Sequence, residues 1–176
     1  DGGFDLASRF GIGENARTGS DVLAADFDRD GAPDLAFADR LTGVVVQRNE
    51  ALDGTFVPFG TFPTGARPAL LEAFDFDADG TLDIVAANLA PDTSASVLPG
   101  DGTGAFGAPI RLLAGSSPRG LAVGDFNADR RADVAVATGL SAGSVSGGVA
   151  VFYNATPLTC RAGGSPAARG FTDRAG

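Results

Sequence analysis

Half of the 22 acidic residues of this 176-residue chain fall in three short matching stretches, with their oxygens spaced as cation binding requires. The first stretch is Asp26-Phe27-Asp28-Arg29-Asp30-Gly31-Ala32-Pro33-Asp34, and the second is Asp75-Phe76-Asp77-Ala78-Asp79-Gly80-Thr81-Leu82-Asp83. The third, degraded, is Asp125-Phe126-Asn127-Ala128-Asp129-Arg130-Arg131-Ala132-Asp133. Positions one, three, five and nine carry the candidate ligands: Asp26, Asp28, Asp30 and Asp34; Asp75, Asp77, Asp79 and Asp83; Asp125, Asn127, Asp129 and Asp133. Oxygen-only donors on a short, sharply turning loop suit a hard cation, and calcium is the expected ion. Without a cation the carboxylates of one loop repel each other.

The EF-hand shares positions one, three, five and six but closes its site with a bidentate Glu at position twelve, between two helices. Position twelve here is Phe37, Ala86 or Val136, so the closing ligand is missing each time. The runs after the loops, Leu35-Ala36-Phe37-Ala38, Ile84-Val85-Ala86-Ala87 and Val134-Ala135-Val136-Ala137, are short, apolar and strand-like. The third loop is expected to be weak or empty. Asn127 lowers its charge, Arg130 replaces the glycine that turns without steric cost, and Arg131 adds a second positive charge.

A net charge of −9 is concentrated in these loops, and the sign makes nucleic acid an improbable partner. With no His, imidazole catalysis and His-ligated zinc are excluded within the chain. There is no Lys and one Tyr, and the only Glu residues are Glu14, Glu50 and Glu72, so an acid and base outside the loops are hard to find. The expectation is therefore no enzyme. Cys160, the single cysteine, has no intramolecular disulfide partner. No apolar run approaches membrane-spanning length. The absence of an initiator Met suggests a processed or excised piece.

The loops begin at Asp26, Asp75 and Asp125, 49 and 50 residues apart, a period that signals blades or stacked units. Each unit holds four strand candidates. Strand one is Val22–Ala25, Leu71–Phe74 or Leu121–Gly124, and strand two is the apolar run after the loop. Strand three is Val44–Gln47, Ser96–Leu98 or Val149–Tyr153, and strand four is Thr55–Phe62 or Phe106–Leu113. Four short antiparallel strands per unit make an all-β fold of β-propeller blades, about three blade equivalents. Residues 1–20 read as a lone fourth strand, 21–69 and 70–119 as blades, 120–154 as an incomplete blade and 155–176 as a tail or linker. Asp1-Gly2-Gly3-Phe4 resembles Asp53-Gly54-Thr55-Phe56, so the surplus strand at the front is expected to complete the last blade. Propellers run to roughly 4–8 blades. A piece of a larger ring or a homo-oligomer is therefore expected, rather than a closed three-blade monomer.

The Asp-Phe-(Asp/Asn)-x-Asp loops, Phe59-Gly60 with Gly65-Ala66-Arg67-Pro68, and Phe106-Gly107-Ala108-Pro109 resemble the FG-GAP/VCBS repeats, the calcium-binding propeller repeats of integrin α-subunit heads and bacterial secreted proteins. The resemblance covers about residues 1–154. It implies a ring of about seven or eight blades, calcium between strands one and two, ligand binding elsewhere on the ring, and no catalysis. A structural calcium of extracellular affinity, about 10⁻⁴–10⁻³ M, argues for a secreted or cell-surface protein. The expected role is adhesion, assembly or ligand recognition, with a protein or glycan at the cell surface or matrix as partner. A lectin-like propeller, or an accessory scaffold of a polysaccharide-degrading enzyme, is the alternative. Recognition is expected on the face opposite the metal loops, in Arg40–Gly43, Leu89–Ala95 and Gly139–Gly148, with Arg17, Arg67 and Arg119 at the blade connections as candidate ligand-binding residues.

Overall fold

Runs of valine, isoleucine and alanine too short for a helical stripe follow each acidic loop, and in the computed structural model they form strands. The structure describes residues 19–50, 54–65, 67–89, 94–115, 117–139 and 147–155. Residues 1–18 with Arg17, and residues 156–176 with Cys160, lie outside the described residues, as do most of the last two variable loops.

The first sheet contains β1 (Gly19–Ala25), β2 (Asp34–Asp39), β3 (Gly43–Arg48) and β4 (Val57–Phe62), in chain order. The second contains β5 (Pro68–Phe74), β6 (Asp83–Asn88), β7 (Ala95–Leu98) and β8 (Ile110–Leu112), again in chain order. The third contains β9 (Pro118–Gly124), β10 (Asp133–Thr138) and β11 (Gly148–Phe152). Every pairing is antiparallel, as in propeller blades. Strand one begins earlier than its apolar residues suggest, because the ladder continues past a register shift to Gly19, Pro68 and Pro118. The fourth strand of the second blade is broken. Phe106 pairs with Gly100 as an isolated bridge, and β8 resumes only after Pro109, which has no N–H to give.

The repeats keep one register: Leu35 faces Gln47, Ile84 faces Leu98 and Val134 faces Phe152. Alternation along the strands then sends neighbouring residues to opposite faces. Ala36, Ala38, Val44 and Val46 of the first blade pack on Leu71, Ile84, Ala86 and Leu98 of the second. Val85, Ala95 and Val97, on the far face of the second blade, pack on Val134, Val136 and Phe152 of the third. Both faces of β6 are buried, so the middle blade is held from two sides. Phe106 fills the first seam edge-on between Phe27 and Phe62, with centroids 5.4 and 5.1 Å away. Among the described residues nothing covers the outward face of the third blade, with Val149 66% and Val151 43% exposed.

Candidate metal centre

Each acidic loop joins strand one to strand two of its blade, so its ninth residue is also the first residue of a central strand. That placement gives Asp34, Asp83 and Asp133 a second task. One oxygen of each accepts a hydrogen bond from the amide at loop position two: Phe27 (3.1 Å), Phe76 (2.8 Å) or Phe126 (3.0 Å). The other accepts from an amide just beyond strand three: Asn49 (3.0 Å), Gly100 (2.7 Å) or Asn154 (2.8 Å). The carboxylate thus buckles the loop to the third strand. The partner residue after strand three carries no motif, so only the folded register reveals it.

The rest of each loop is wound around its own aspartates. Asp26 accepts from the Gly31 amide, Asp75 from Asp79 and Gly80, and Asp125 from Asp129 and Arg130. The turn needs two left-handed residues. Position six is Gly31 (φ 90°), Gly80 (φ 85°) and Arg130 (φ 68°), as the glycines imply. Position four, Arg29, Ala78 and Ala128, also has positive φ, which the residue types there do not signal. Each non-glycine residue so placed costs about 1–2 kcal/mol.

This winding gathers Asp26, Asp28 and Asp34 in the first loop, and Asp75, Asp77 and Asp83 in the second, with one oxygen from each within 4.8 Å of the others. Oxygens sharing a calcium ion at 2.3–2.6 Å can lie no more than about 5 Å apart, so both groups fit the ion. Asp26 Oδ1 is buried and has no hydrogen-bond partner among the described residues, which leaves it open to a cation. Position five stands outside both groups. Asp30 and Asp79 turn Oδ1 onto the amides of Ala32 (2.7 Å) and Thr81 (2.8 Å). Burial pushes the Asp83 carboxyl up to about 7, only partly opposed by the Gly100 and Phe76 amides, and the charges of Asp77 and Asp75 add to it. Asp34 is raised for the same reasons, burial first.

The third loop forms no such group among the described residues. Asn127 supplies an amide at position three and donates to Asp129 at 3.0 Å. Arg131 holds the same carboxylate through Nε and a terminal nitrogen, at 3.1 and 2.5 Å, and keeps Asp129 below the usual carboxylate range. The neighbourhood differs as well. Gly104 of the second blade donates to the Phe27 carbonyl (3.1 Å) and Asn154 of the third donates to that of Phe76 (2.6 Å), so each of these loops is capped by the next blade. Phe27 and Phe76 are buried, whereas Phe126 is 48% exposed.

Arg48, at the end of β3, forms an ion pair with Asp28, Nε to Oδ2 at 2.8 Å. Its guanidinium lies over Phe59, 4.1 Å from the ring centroid, and donates to the Thr103 carbonyl at 2.5 Å. On the opposite face, Arg67 and Arg119 are exposed but out of repeat register, one before Pro68 and the other after Pro118. Glu50 and Glu72 are exposed and stand outside the acidic groups. A family model described as FG-GAP-like repeat matches residues 26–86 and 75–136, each match running from one acidic loop into the strand after the next. The chain belongs to that family. No curated protein matches it.

Proposed function

We propose that this member of the FG-GAP-like repeat family is a non-catalytic binding module whose first two loops hold structural calcium. The observation that carries the reading is the pair of three-carboxylate groups, each rooted in a central strand by a buried aspartate. Calcium would supply the positive charge that lets these carboxylates stand together. Asp26, Asp28 and Asp34, and in the next blade Asp75, Asp77 and Asp83, would hold it, and the ninth residue would pass the constraint to strand three through its second amide bond. Because the second loop is capped by Asn154 of the following blade, filling it would also tighten that seam.

Sites of this class suit a calcium-rich exterior, and the reading extends to a secreted or cell-surface protein in adhesion, assembly or recognition. A protein or glycan partner would meet the loops of the face opposite the metal sites, where sequence varies most between repeats. The deciding experiment is thermal unfolding of the chain in calcium and in chelator, beside an Asp26→Asn/Asp75→Asn variant. Calcium at a hundred times its dissociation constant is expected to stabilise the wild-type chain by about 2.7 kcal/mol per site and the variant by far less. Equal midpoints in calcium and chelator for the wild-type chain would refute the reading.

A further inference from the structure

We propose that Arg48 competes with calcium for Asp28, and so couples occupancy of the first loop to the seam between the first two blades. The inference rests on the calcium reading above and adds a regulator to it. Asp28 belongs to the first three-carboxylate group, yet its Oδ2 is paired with Arg48 Nε at 2.8 Å. The Asp28 side chain is only 11% exposed and that of Arg48 24%, so water screens the pair incompletely. The guanidinium is not a loose surface charge. It stacks on Phe59 of its own blade and donates to Thr103 in the β7–β8 turn of the next. One side chain therefore links a candidate ion ligand to the neighbouring blade.

A divalent ion at Asp26, Asp28 and Asp34 would meet this resident positive charge. The conflict is settled by geometry, with the guanidinium swinging away from Asp28. Movement of Arg48 loosens its hold on Thr103. Calcium in the first loop would thus exchange an arginine staple across the seam for a metal staple within the loop. A residue of this kind lowers the loop's affinity and makes it depend on how firmly the next blade is docked.

The test is a calcium titration of the full chain followed at single backbone amides by NMR. Gly31 reports the first loop and Gly80 the second, since their amides donate to Asp26 and Asp75. Arg48→Gln is expected to lower the half-saturation concentration at Gly31 by about tenfold, the effect of removing a unit charge beside a divalent ion at the surface. The value at Gly80 should stay within about twofold. Arg48→Lys, which keeps the charge, should leave Gly31 near its wild-type value. In the wild-type chain the Thr103 amide should shift with the same midpoint as Gly31, a readout that needs no variant. An unmoved or raised midpoint at Gly31 in Arg48→Gln, or a Thr103 amide indifferent to saturation of the first loop, overturns the proposal while leaving calcium binding intact. Silence at both glycines in the wild-type chain and in Arg48→Gln overturns the calcium reading and this proposal together.

Discussion

At the scale of single residues, the ninth aspartates of the first two loops are under two opposed demands. Their amide bonds favour the anion, while burial and the neighbouring aspartates oppose it, and for Asp83 the balance leaves the carboxyl at about 7. The folded value lies above the ordinary 3.8, so the native chain holds this proton more tightly than the unfolded chain does. In chelator, the contribution of Asp83 to stability is therefore expected to be full below about pH 4 and to fall as pH rises to about 7. Calcium at the second loop reverses the sign, because the ion needs the carboxylate and must displace the proton. The gain in unfolding midpoint from calcium is expected to be larger at about pH 8 than at about pH 6. Asp83→Asn should remove the second loop's share of that difference, read by thermal unfolding with and without chelator. A calcium gain that is flat across this range would mean that Asp83 stays outside the coordination shell. The aspartates themselves were legible in the sequence because spacing and residue type are local. Arg48, the amides beyond strand three and the left-handed fourth position were not, since each depends on what the fold brings across from another strand or blade.

At the scale of elements, three loops of one design have come to different ends. The third winds as the others do, with Arg130 in the left-handed region where they have glycine, so its backbone has survived the loss of the motif. What differs is charge: Asn127 for Asp at position three, and Arg131 locked onto Asp129. If charge alone disables it, restoring the residues of the second loop should restore the site. The Asn127→Asp/Arg130→Gly/Arg131→Thr variant is expected to bind one more calcium equivalent than the wild-type chain in calorimetry. Relief of the left-handed arginine should add about 1 kcal/mol of stability in chelator. The added site should be weaker than the first two, because Asp125 is exposed where Asp26 and Asp75 are half-buried. An unchanged stoichiometry would assign the defect to the missing cap of a following blade instead. The strands that carry the loops were readable from apolar runs and a constant period. The break before β8 was harder to see, because it comes from Pro109 and a bridge at Phe106 within a run that still looks continuous.

At the scale of the whole molecule, the three blades share one register and have very unequal surroundings. Register makes Val46, Val97 and Val151 equivalent, each one residue before the partner of the first apolar residue of strand two. Val46 is 1% exposed and Val97 2%, because the following blade covers them, while Val151 is 43% exposed on the outer face of the third. Repeat arrays of this kind owe their stability to the sum of blades and seams, so the same truncation should cost different amounts at different places. Val97→Ala removes two methyl groups from a closed seam and is expected to cost about 2–3 kcal/mol, once the cavity is added to the lost transfer energy. Val151→Ala takes the same atoms from a face already wet and should cost no more than about 0.5 kcal/mol. Chemical denaturation of the two variants at equal chain concentration measures both. A large cost for Val151→Ala, growing with chain concentration, would mean that a second copy covers that face. A large cost independent of concentration would mean that another part of the same chain does. A small cost would mean that Val151 is as open in solution as Phe126, whereas Phe27 and Phe76 are sealed.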